Sequence, residues 1–101
     1  MTPPGGDWTL VSFLEGLDLW IAEEQPDDDL RLVVTTWVLS RAEDPYRGDC
    51  RRDPVVPNLW AVAIPKTRHD GDLVVVATYF IEERSHSVRC NQIGSLTLPL
   101  A

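Results

Sequence analysis

The stretch Leu73–Ile81, "LVVVATYFI", constrains the fold more than any other part of the chain. It is rich in β-branched and aromatic residues and apolar at odd and even positions alike, which describes a strand covered on both faces. Such a strand belongs in the middle of a sheet, so it demands neighbours. Leu59–Ile64, "LWAVAI", ends at Pro65 and supplies one; Asp70-Gly71 between the two is a turn signal suited to a hairpin, so the pair reads as antiparallel. After "EERS" the chain turns into His86–Ile93, "HSVRCNQI", the other neighbour. Gly94 is expected to break that strand, leaving "SLTLPL", with Leu96, Leu98 and Leu100 alternating, as a short edge strand or a tail over an apolar groove.

The sheet needs a covering layer, and the first half of the chain offers helices. Leu30, Val33, Val34, Trp37, Val38 and Arg41 mark one face at helical spacing, which predicts a helix over 27–42 with acids in its first turn, where the helix dipole favours them. Asp44-Pro45 closes it. Before it, Leu10, Phe13, Leu14, Leu17 and Ile21 also follow helical spacing, with Asp7 as a candidate N-cap. Trp8–Phe13, "WTLVSF", fits a short strand equally well, with the helix then starting at Leu14. Pro26 ends whichever helix precedes it, and the short Gln25–Asp27 link makes the helices a hairpin. "TPPGG" reads as a frayed leader over 1–6, so the expectation is one α+β domain over 7–101, with no internal repeat.

The chain carries a formal net charge of −7, unevenly placed: residues 1–44 hold ten acids and two bases, whereas 45–101 hold six acids and seven bases. That total argues against strong non-specific nucleic-acid binding, which requires many cations on phosphates. Two cysteines, Cys50 and Cys90, cannot make a disulfide scaffold. The start lacks a signal-like pattern and no apolar run approaches the roughly 20 residues of a membrane span, so the chain is expected to be cytoplasmic and off the membrane.

Chemistry-bearing motifs are few. His86 and Cys90 lie about 13 Å apart on a strand at roughly 3.3 Å per residue, too far to share a zinc ion, and His69 and Cys50 sit elsewhere, so no metal or cofactor is expected. Glu83, Ser85 and His86 are close in sequence, but a hairpin turn would point them apart in open water. The acid pairs Glu23–Glu24, Asp27–Asp29 and Glu82–Glu83 sit at helix ends and turns, where acids are expected in any case. The Arg-Gly-Asp triplet at 47–49 reads as chance. The basic residues Arg47, Arg51, Arg52, Lys66, Arg68, Arg84 and Arg89 fall mostly in loops and need not converge.

The order of these segments resembles the RelE/ParE superfamily of small bacterial toxins. In that family a helix commonly ends in a Glu-Asp-Pro type breaker, and three strands then carry a "lwr…vgdyrvvY.i…rtV.vl.Ig" pattern. The matching residues here are Glu43-Asp44-Pro45, Leu59-Trp60, Gly71-Asp72 to Tyr79 with Ile81, Ser87-Val88-Arg89 and Ile93-Gly94. The resemblance covers about nine-tenths of the layout. It implies a helical hairpin packed on a small antiparallel β-sheet in the order β-α-α-β-β-β, and it favours the strand reading of Trp8–Phe13. It further implies an antitoxin partner and a target such as the ribosome-bound message or gyrase.

After Ile-Gly the family often continues with His-Arg and a later Tyr, residues that contribute to RNA cleavage. Here Ser95-Leu96-Thr97-Leu98-Pro99 follows, and these supply neither positive charge nor a general base. The expectation is therefore a toxin-type protein that binds a protein target, with RNA or the ribosome disfavoured by the acidic charge. Arg47, Arg51, Arg52, Arg84 and Arg89 are the candidate binding residues. Were it a RelE-type endoribonuclease, Arg89 would stabilise phosphate charge and His86 would be the nearby base. The competing expectation is an acidic immunity or inhibitor protein whose 1–44 half masks a basic partner surface.

Overall fold

The computed structural model describes residues 8–48 and 50–97. The leader at 1–6, Asp7 with its N-cap expectation, Asp49 and residues 98–101 lie outside them. Five strands form one sheet in the order β1-β5-β4-β3-β2: β1 (Thr9–Val11), β2 (Arg51–Arg52), β3 (Leu59–Ala63), β4 (Leu73–Glu82) and β5 (Ser87–Thr97). The long apolar stretch is the middle strand, but only one of its faces is covered. Val75, Ala77, Tyr79 and Ile81 enter the core under the helices, whereas Val76, Thr78 and Phe80 on the other face are half-buried. Pairings β2–β3, β3–β4 and β4–β5 are antiparallel, while β1 runs parallel to β5, with Thr9 opposite Ser87 and Val11 opposite Arg89.

Two helices, α1 (Phe13–Glu24) and α2 (Asp28–Ser40), form the expected hairpin. Trp8–Phe13 resolves as strand followed at once by helix, because Ser12 takes a left-handed conformation (φ 64°) and turns the chain between them. Leu10 thus belongs to the sheet, and α1 buries Phe13, Leu17 and Trp20, leaving Leu14 exposed. Gln25, also left-handed (φ 48°), ends α1 with its N–H on the Ile21 carbonyl, and Pro26 follows. Asp27 caps α2 by accepting from the Leu30 N–H at 2.8 Å.

Val34 and Val38 of α2 meet Val62, Val75, Ala77, Tyr79, Ile81, Val88 and Ile93 from the sheet in one core. A register shift at Thr78/Tyr79 leaves Asn91 unpaired and changes the parity of β5. Val88 and Cys90 before the bulge, and Ile93 and Ser95 after it, consequently all face the helical side. At Gly16 the helix lies so close to β5 that an added Cβ would stand 2.7 Å from Cys90 Sγ.

The expected break at Gly94 is not present. β5 continues through it to Thr97, with Gly94 opposite Val76 and Thr97 opposite Leu73. β4 is ten residues long and offers a complete ladder, and those hydrogen bonds outweigh the roughly 0.5–1 kcal/mol that a mid-strand glycine costs. Leu96 therefore sits in the extended β5, paired with Val74 of β4 on one side and beyond the reach of β1, whose ladder ends at Arg89. The edge expectation for this stretch holds, while the break does not.

Candidate functional site

The basic loop that follows α2 is tightly built. Arg41, at the helix end, is 2% exposed and donates from Nη1 to the carbonyls of Arg47 (2.8 Å) and Pro45 (3.4 Å). Tyr79 donates its hydroxyl to the same Pro45 carbonyl at 2.8 Å, and Cys50 Sγ lies 3.1 Å from that hydroxyl. From outside, Tyr46 packs edge-on against Trp60 and Trp8 and donates its hydroxyl to Glu83. Burial and then the Glu83 carboxylate push the Tyr46 phenol up to about 12; burial, followed by the Cys50 hydrogen bond, raises Tyr79 further.

These shifts set a pH dependence. The unfolded chain loses its phenol protons near the ordinary value of about 10, whereas the folded chain keeps them. Stability from these groups is thus complete below pH about 10 and falls as pH rises through the folded values. In a spectrophotometric titration the folded protein is expected to show no tyrosinate absorbance at pH 10.5, and the urea-unfolded protein to show about three-quarters of its full signal.

The arginines do not form one cluster. Arg51 and Arg89 share the sheet face away from the helices, in adjacent rows: Arg51, Ala61, Thr78, Gln92 and Leu59, Phe80, Arg89, Val11. Arg89 lies 4.6 Å over the Phe80 ring and 3.3 Å from Glu82. Arg84 borders the same shallow concavity as Arg89, beside Asn58 and Phe80. Arg52 alternates to the opposite face and borders a dent formed by Pro54 to Pro57. Arg47 sits in the anchored loop. His86 occupies the β4–β5 turn in a left-handed conformation, stacked 3.8 Å from Trp8, and Ser85 bonds Ser87, so the described residues do not arrange Glu83, His86 and Ser85 as a triad.

A second concavity, of about 640 Å³, lies between the α1–α2 turn and the β3–β4 connection. Glu24, His69 and Ser95 converge in it. Ser95 Oγ is 2.5 Å from Glu24 Oε1 and 3.3 Å from His69 Nε2, while His69 Nδ1 is 2.6 Å from the Thr67 carbonyl. The Ser95 N–H (2.8 Å) and Trp20 Nε1 (3.1 Å) also donate to the Glu24 carboxylate. Sequence reasoning missed this group because its members come from a helix end, a turn and the strand expected to have ended at Gly94. Carrying β5 past that glycine would not have been enough, since plain alternation from Val88 and Cys90 puts Ser95 on the far face, and only the bulge at Asn91 returns it to the helical side.

Among the described residues no group of three or more His, Cys, Asp or Glu side chains is arranged to hold a metal ion, and no helix is long and apolar enough to cross a membrane. No family model, curated protein or solved structure matches the chain.

Proposed function

We propose that this chain is a RelE/ParE-like toxin-type protein of a bacterial toxin–antitoxin pair, acting in the cytoplasm by docking on a target protein and not by cutting RNA. The observation that carries the reading is the uncovered sheet face. Helices cover one side only, and the other presents Arg51 and the Arg89–Phe80 stack among Leu59, Thr78 and Gln92. Arginine held over an aromatic ring is already ordered, so little side-chain entropy is lost when a partner binds. The positions where the family carries cleavage residues are here Ser95, Leu96 and Thr97, tied into the β4–β5 ladder.

Induced expression in bacteria tests this. Growth arrest that disappears in the Arg51→Glu/Arg89→Glu double variant, with unchanged circular dichroism, is the expected result; binding to the captured target should weaken at least about tenfold. Arrest that survives the double variant would sink the sheet-face assignment.

A second reading has its own observation. Leu14, Leu19, Leu32 and Leu39 are exposed on the helices among Glu15, Asp18, Glu23, Asp28 and Asp29. That mixture suits an acidic inhibitor that masks a basic partner. Unaffected growth, with one basic protein co-purifying in a salt-sensitive complex, is the outcome that favours it.

A further inference from the structure

We propose that the cleft between the α1–α2 turn and the β3–β4 connection is an acyl-transfer site with Ser95 as nucleophile, taking small aliphatic carboxylic esters. This goes beyond the docking role and uses a different surface. The Thr67 carbonyl can only accept, so His69 Nδ1 carries the ring proton and Nε2 presents its lone pair. That lone pair faces Ser95 Oγ at 3.3 Å, and the Glu24 carboxylate stands at 2.5 Å from the same oxygen. At rest the hydroxyl donates to Glu24, and rotation about the Cβ–Oγ bond brings its proton to His69 Nε2, the base that the Thr67 carbonyl orients: the nucleophile, base and orienter arrangement of covalent catalysis.

Glu24 is itself held by the Ser95 N–H and the Trp20 indole, so the acceptor does not swing away. Leu30, Val33 and Leu73 line the cleft as apolar residues suited to a short alkyl chain. Lys66 and Arg68 line it as cations of the kind a developing oxyanion requires, beside the acids Asp27, Asp29 and Asp70.

The step balances without a further reactant beyond ester and water. Ser95 Oγ bonds to the ester carbonyl carbon, whose π electrons move to oxygen, and the hydroxyl proton passes to His69 Nε2. Collapse of the tetrahedral species restores the carbonyl and expels the alkoxide, which takes that proton from Nε2. Water then attacks the acyl-serine, giving one proton through Nε2 back to Ser95 Oγ and releasing the carboxylic acid.

The test incubates the whole chain with a fluorophosphonate probe and, separately, with p-nitrophenyl acetate, and maps adducts by peptide mass spectrometry. A single adduct on Ser95, a matching burst of p-nitrophenolate, and loss of both in Ser95→Ala are expected. His69→Gln, which leaves the Glu24–Ser95 bonds in place, should slow labelling by about a hundredfold with an unchanged thermal midpoint. No adduct on Ser95, labelling that persists in Ser95→Ala, or a His69→Gln rate equal to that of the parent would overturn the proposal and leave Ser95 as a tie between α1 and β5.

Discussion

Replacing Arg41 with alanine is expected to lower the unfolding free energy by about 3 kcal/mol and the thermal midpoint by roughly 15 °C. The guanidinium is 2% exposed, and no carboxylate among the described residues pairs with it. Its charge is instead solvated by dipoles: two loop carbonyls, the Ser40 hydroxyl on Nε and Nη2, and the Trp37 ring at 4.5 Å. Alanine strands those acceptors and removes the post that holds the Pro45 and Arg47 carbonyls. Lysine at the same place should recover less than half of the loss, since one ammonium cannot reach both the loop carbonyls and Ser40. Thermal melts of the three proteins check this; an alanine cost below about 1 kcal/mol would mean that the outer contacts of Tyr46 hold the loop unaided.

Gly16→Ala should destabilise although alanine is the better helix former by about 1 kcal/mol. The new methyl would stand 2.7 Å from Cys90 Sγ and 3.7 Å from Ile93 Cδ1, so α1 must lift from β5 or Cys90 must leave its rotamer. A net loss of about 2 kcal/mol is expected, and Cys90→Ala in the same chain should return most of it. Urea unfolding of the two single variants and the double variant gives the coupling directly. Equal losses in the presence and absence of the Cys90 thiol would show that the glycine is not there for that contact. The same packing half-buries the thiol and, with Glu15 nearby, pushes Cys90 up to about 11, so it should react slowly with iodoacetamide until the chain unfolds.

The fold was largely legible because its strongest signals are local. Leu73–Ile81 declared a middle strand, the "PDDD" start and the Val34–Val38 face declared α2, and Asp70-Gly71 declared a turn. What escaped was decided by partners distant in sequence. Gly94 is a strand breaker in isolation, yet ten residues of β4 keep it in the ladder. Leu10 fits a helical face until β5 is present to pair with it. The arginines were legible as residues but not as a surface, since strand parity separates Arg51 from Arg52 and a loop anchor claims the neighbourhood of Arg47. The Glu24–His69–Ser95 group left no local trace, because none of its three members lies near another along the chain.

The parallel pairing of β1 with β5 also governs the order in which this sheet can form. β1, the first of the described strands, has its ladder partner in β5, the last of them. Until that strand is in place, β1 has no edge to join, α1 lacks the surface at Cys90 and Ile93 on which it rests, and the sheet cannot close. The sheet therefore closes only once β5 is present, and a chain cut short before Ser87 loses the partner of β1 as well as β5 itself.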